Sequence, residues 1–214
     1  MTRNKPQYHK EMEKIVDSFK GERRRLLLHS CCAPCSSGVL VPLQEIFDLT
    51  VYYYNPNISE AEEYAKRAAE QKKLINALNR EKPDFPIEII EEAYEPKPFY
   101  EIAKGLEKCP EGGERCFRCY ELRLEKTALA AKKGGFDYFT TTLTISPLKN
   151  ADKINRIGKE LEEKHQVSFL PSDFKKKDGY KNSIALSKKY DLYRQNFCGC
   201  IFSKVESLSK EDKI

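Results

Sequence analysis

The chain has 214 residues, enough for one well-packed domain, with 38 basic and 33 acidic side chains and a net charge of +5. Residues 1–25 are polar, without the apolar segment of a signal peptide, and no apolar run approaches the roughly 20 residues that span a bilayer. The expectation is a soluble, cytoplasmic protein with no membrane partner. The small positive excess does not establish nucleic-acid binding, and the runs Arg23–Arg25, Lys175–Lys177 and Lys188–Lys189 read as solvated surface before they read as phosphate contacts.

In chain order, a polar stretch (1–24) leads to a short apolar strand at Arg25–Ser30. Helical spacing follows over Ser36–Phe47 (Val39, Leu40, Leu43, Ile46, Phe47), then a β-branched and aromatic strand at Leu49–Tyr54, closed by Asn55-Pro56-Asn57. Ser59 and Glu62 suggest a capped start to a long charged helix over Ser59–Arg80. A third strand is expected at Ile87–Ile90, and helices at Phe99–Leu106 and Arg118–Lys133, the latter ended by Gly134-Gly135. A fourth strand at Phe136–Leu143, a helix at Asp152–His165, a fifth strand at Val167–Leu170 and a last helix at Ile184–Lys189 complete the pattern. Strands alternating with helices imply an α/β fold: a Rossmann-like parallel sheet with helices on both faces. The expected organisation is a single α/β domain over 1–214, with a Rossmann-like core at 25–190 and a C-terminal segment at 191–214. Ligands of such sheets gather beyond the C-terminal ends of the strands.

Seven of the eight cysteines fall into three tight groups, a pattern of shared metal or exchanging thiols. Cys31, Cys32 and Cys35 follow the first strand, where a nucleotide-binding chain would carry glycines; here thiols replace the phosphate cradle, and the following helix would turn its positive end toward them. Cys116 and Cys119 form a chelating C-x-x-C. Together the two groups supply four or more soft ligands, fitting either a structural zinc or an iron–sulfur cluster, between which spacing does not choose. Cys198-Gly199-Cys200 could close only a strained, easily reduced disulfide, which suggests a redox pair, with metal ligation as the competing use. Cys109 stands apart. Asp173 is equally a hard ligand for an extra iron or a turn cap. His29 is expected to be a hydrogen-bonded structural group, and Tyr54 and Asn55 lie where they could meet a substrate base.

With these segments in place the chain resembles the QueH-type epoxyqueuosine reductases. The resemblance rests on LLLHSCCAPCS (26–36), YYNPNI (53–58), EGGERCFRCYELRL (111–124), FTTTLTISPLK (139–149), DFKKKDGY (173–180) and LYRQNFCGC (192–200). It implies the last step of queuosine synthesis: an iron–sulfur oxidoreductase that removes the epoxide oxygen from epoxyqueuosine at the tRNA wobble position, leaving a cyclopentene and water. It also implies a 4Fe–4S cluster on Cys31, Cys32, Cys116 and Cys119, and a redox-active disulfide between Cys198 and Cys200. Cys35, spare once four thiolates hold the cluster, could bind an additional iron ion with Asp173; alternatively it replaces Cys31. The implied partners are the tRNA anticodon stem-loop carrying epoxyqueuosine and an unidentified electron donor. Two rivals remain on sequence grounds: an iron–sulfur tRNA thiolase, disfavoured by the missing glycine-rich pyrophosphate loop, and a zinc-stabilised nucleic-acid-binding module, which needs only four of the clustered thiols.

Overall fold

The apolar runs sort onto two faces of one sheet. The structure, a computed structural model, describes residues 6–211. Its five strands are β1 (Arg24–His29), β2 (Phe47–Tyr53), β3 (Glu88–Glu91), β4 (Tyr138–Thr141) and β5 (Ser168–Phe169). All pair in parallel, in the order β3-β2-β1-β4-β5. That is a doubly wound order, and its direction reverses between β1 and β4, opening a crevice beyond their carboxyl ends.

Pleating splits the leucines of β1. Leu26 and Leu28 join the core on one face with Val39, Leu40, Phe47 and Leu74, whereas Leu27 joins Tyr52, Leu124, Phe139 and Ile154 on the other. The first core is covered by α1 (Tyr8–Asp17), α2 (Ala33–Leu43) and α3 (Ala61–Glu81). The second lies under α5 (Glu114–Gly134) and α6 (Ala151–His165). The short helix α4 (Lys97–Ala103) packs on α5, α7 (Gly179–Lys189) packs on α2, and α8 (Ile201–Glu211) ends the described chain. Among the described residues no helix is long and apolar enough to cross a membrane.

Four local readings change. The polar N-terminal stretch contains α1, which buries Met12 in the core and ties itself down through Tyr8, whose hydroxyl donates to Asp152 at 2.6 Å, and through an ion pair from Glu11 to Lys159. The C-terminal segment contains α8. Ser59 caps no part of α3; its hydroxyl instead accepts the first N–H of α8, from Ile201, at 2.7 Å. The fourth strand stops at Thr141, because the Thr141 hydroxyl accepts the Leu143 N–H at 3.1 Å and turns Thr142–Ile145 into a 3-10 helix. That turn carries the Thr142 hydroxyl to the end of β1.

Candidate metal and thiol site

Beyond β1 the chain is fixed by buried polar contacts. Ser30 donates its N–H to the Tyr52 carbonyl at 3.0 Å and its hydroxyl to Gln71 at 2.7 Å. Cys32, extended at φ −172°, caps α2, so the thiols stand at the positive end of that helix. The sulfurs of Cys31, Cys32 and Cys35 lie within 4.8 Å of one another. The hydroxyl of Thr142 donates to Cys31 Sγ at 3.5 Å and accepts the Cys31 N–H at 3.2 Å. Hydrogen bonds from Cys32 and then Cys35 hold the Cys31 thiol well below its ordinary range, with Thr142 and Lys149 adding to them. The Cys31 contact pushes Cys32 up to about 12, and Cys35 is raised as well. The trio thus concentrates its negative charge on Cys31.

The second pair starts α5. Cys116 accepts the Gly112 N–H at 3.3 Å, and Cys119 lies one turn further, with burial raising the first and pushing the second up to about 11. One turn beyond, fully buried Arg123 donates from Nε to the Cys119 carbonyl at 3.3 Å and from Nη1 to Asn55 Oδ1 at 3.4 Å, while its Nη2 is buried without a partner. Burial opposes the Arg123 charge, but Cys119, Cys198 and Cys31 around it more than offset that cost.

The third pair is held from α3. Buried Arg67 donates from Nη1 to the Cys198 carbonyl at 3.1 Å and pairs with Glu63 at 2.6 Å. Ser59 N–H donates to the Gly199 carbonyl at 3.0 Å. Gly199 has φ +117°, and a Cβ there would come within 3.0 Å of both Arg67 and Ile58, so the tight path needs glycine. Cys198 and Cys200 point to different partners: Lys149 Nζ lies 3.7 Å from Cys198 Sγ, whereas Cys200 Sγ accepts the Ser203 N–H at 3.4 Å and is pushed up to about 12 by burial. All eight cysteines are free thiols, so no Cys198–Cys200 bond is formed here.

These groups line two adjoining cavities. One, of about 160 Å³, is lined by Cys31, Cys32, Cys35 and Cys198. The other, of about 20 Å³, is lined by Cys116, Cys119, Cys198 and Cys200. Glu111, Lys149 and Cys198 line both. Burial works against the Lys149 charge, yet Cys198, Tyr120 and Cys31 outweigh it and raise its pKa. Asp173 lines neither cavity, and its carboxylate pairs with Lys175 at 2.5 Å. Cys109 has a structural place, its carbonyl accepting from Arg115. His29 is buried, with Nδ1 2.8 Å from the Thr141 hydroxyl and Nε2 3.2 Å from the Tyr54 carbonyl, and burial depresses it to about 3; the neutral ring has no nitrogen left for a metal. Asn55 is occupied in tying Ser30 to Arg123.

Glu111, Lys149, Arg67 and Arg123 are not singled out by residue type or spacing in the sequence. Glu111, Arg123 and Lys149 sit inside the motif blocks that carry the resemblance, so a signal was present. Arg67 has none; it is one of many charged residues along α3 until the fold brings 198 to it.

The donor set suits a soft metal centre. It is all thiol, with buried Arg123 and half-buried Lys149 beside it to balance thiolate charge, and with an orphaned Arg123 N–H in the cavity wall. A doubly wound sheet with thiols gathered at its switch point defines an α/β protein whose cysteine cluster can hold a metal. Residues 26–206 match the family model described as epoxyqueuosine reductase QueH. The chain is 43% identical over 210 residues to the epoxyqueuosine reductase QueH of Staphylococcus epidermidis, covering 96% of this chain and 88% of that protein. It is 40% identical to the one from Staphylococcus aureus, covering 96% and 87%, and 38% identical over 191 residues to the one from Thermotoga maritima, covering 88% and 95%. The chain belongs to the epoxyqueuosine reductase QueH family.

Proposed function

We propose that this chain is an oxidoreductase of queuosine biosynthesis that reduces epoxyqueuosine to queuosine at the wobble position of tRNA. The observation that carries the reading is the convergence of seven thiols on two cavities sharing Glu111, Lys149 and Cys198. Cys31, Cys32, Cys116 and Cys119 would hold a 4Fe–4S cluster, and Cys35 would be left for an additional iron ion. When bound, the cluster supplies electrons one at a time.

The overall change takes two electrons and two protons into the epoxide and releases an alkene and water. Oxidising Cys198 and Cys200 to a disulfide yields two electrons and two protons, so the pair matches the stoichiometry, and a donor outside this chain restores it. Lys149, charged and lining both cavities with its Nζ 3.7 Å from Cys198 Sγ, offers an N–H to oxygen charge developing beside it. Glu111, which accepts the Ser203 hydroxyl at 3.1 Å, steadies the backbone around Cys200 and gives the cavities a proton acceptor. The test is anaerobic incubation of the metal-loaded protein with epoxyqueuosine-bearing tRNA and a one-electron reductant, followed by nucleoside mass spectrometry. Loss of one oxygen from the modified nucleoside is expected; an unchanged nucleoside in the presence of full metal loading contradicts the reading.

A further inference from the structure

The larger thiol cavity has a floor and a rim of different chemistry. Its floor is sulfur, from Cys31, Cys32, Cys35 and Cys198; its exposed members are Leu148, Tyr180, Arg194 and Asn196. Leu148 is 75% exposed, the most exposed large apolar side chain among the described residues, and Tyr180 is 38% exposed. Neither is loosely placed. The Ser146 hydroxyl accepts the Leu148 N–H at 3.3 Å and the Ser146 carbonyl accepts the Lys149 N–H at 3.2 Å, closing the turn that presents the leucine. Tyr180 follows Gly179, where a Cβ would fall 1.8 Å from the Phe174 carbonyl oxygen, so only glycine lets α7 start this close and aim the tyrosine. Arg194 is anchored by an N–H to Ser187 Oγ at 3.0 Å, and Gln195 presents a buried Oε1 with no partner in the protein.

Size separates what enters from what stays outside. A cavity of about 160 Å³ is close to the ~150 Å³ that accepts one six-membered carbon ring. Part of that volume would be taken by the metal centre on its floor thiols, so a base with its ribose does not fit inside and stays at the rim. An aromatic ring and an aliphatic side chain held in solvent beside a cation suit a splayed-out RNA nucleotide, whose base needs an apolar surface and whose phosphates need a positive group.

We propose that Tyr180 and Leu148 form the platform on which the base of the substrate nucleotide rests, with Arg194 on a neighbouring phosphate and Gln195 accepting a hydrogen bond from the inserted ring, so that only the carbocycle reaches the thiols. The assignment rests on the reductase reading above. It is tested by steady-state kinetics of the metal-loaded enzyme on epoxyqueuosine-bearing tRNA, with Tyr180→Ala, Tyr180→Phe, Leu148→Ala and Arg194→Ala. Tyr180→Ala should raise KM on the order of tenfold with kcat little changed, and Tyr180→Phe should restore it, because the stacking face and not the hydroxyl is used. Leu148→Ala should raise KM more modestly, and Arg194→Ala should raise KM while flattening its salt dependence. Metal content and thermal transitions should match the wild type. Wild-type turnover with an unchanged KM in Tyr180→Ala and Leu148→Ala would overturn the platform alone. Absence of turnover in the wild type would remove the reductase reading and the platform with it.

Discussion

Cys198 is the sulfur that lines both thiol cavities, and Lys149 reaches it at 3.7 Å. Replacing Lys149 with Met should therefore lower turnover on the order of 100-fold while leaving iron content unchanged, as expected for a lost charge beside a reacting centre. Cys116→Ser or Cys119→Ser should remove metal and activity together, whereas Cys198→Ser or Cys200→Ser should keep the metal and impair turnover; iron assay and tRNA turnover on the same preparations separate the two classes. Gly199→Ala places a Cβ against Arg67 and Ile58 at a left-handed φ. It should cost about 1–3 kcal/mol, read as a lowered thermal transition. At this scale the cysteines were legible from spacing alone, since thiols that share a site betray themselves by clustering. Asp173 stood open between metal ligand and turn cap; in the fold its carboxylate pairs with Lys175 and its carbonyl accepts the Lys176 N–H. Arg67 acts across 131 residues of sequence and leaves no local trace.

The helices divide by how much of their apolar face is diluted by charge. In α1 the residues Met12, Ile15 and Val16 meet the core, but they are interleaved with Lys and Glu, and the segment reads as a polar extension. Its contribution is nonetheless substantial: Met12→Ala should cost about 2 kcal/mol, measured by denaturant midpoint at unchanged slope. The strands were easier, because runs such as Leu26–Leu28 and Val51–Tyr53 are buried on both sides of the sheet and carry few polar residues. The fourth strand was drawn too long because Thr142 and Leu143 have strand-like composition; the Thr141 hydroxyl, by capturing the Leu143 N–H, decides the matter locally. The same threonine-driven turn brings Thr142 onto Cys31, so an error of a few residues in an element boundary concealed a contact in the site.

The two large apolar cores contain no cysteine of their own, although Cys35 packs against one and Cys31 and Cys116 against the other. The clusters built on Leu26, Leu28 and Phe47 and on Leu27, Leu124 and Phe139 span the two faces of the sheet without requiring sulfur ligation. Stripping the proposed metal should lower the thermal transition, since ligation would join segments near 31 and 116, yet far-UV circular dichroism should keep its native form. A zinc-dependent module would instead unfold. The measurement that reaches the central claim most directly is iron, zinc and acid-labile sulfide per chain on anaerobically purified protein, with its visible spectrum. About four irons and four sulfides with a broad thiolate-to-iron absorption are expected, and a further iron if Cys35 holds a second ion. Colourless protein carrying one zinc and no sulfide, even after anaerobic reconstitution, would contradict that claim.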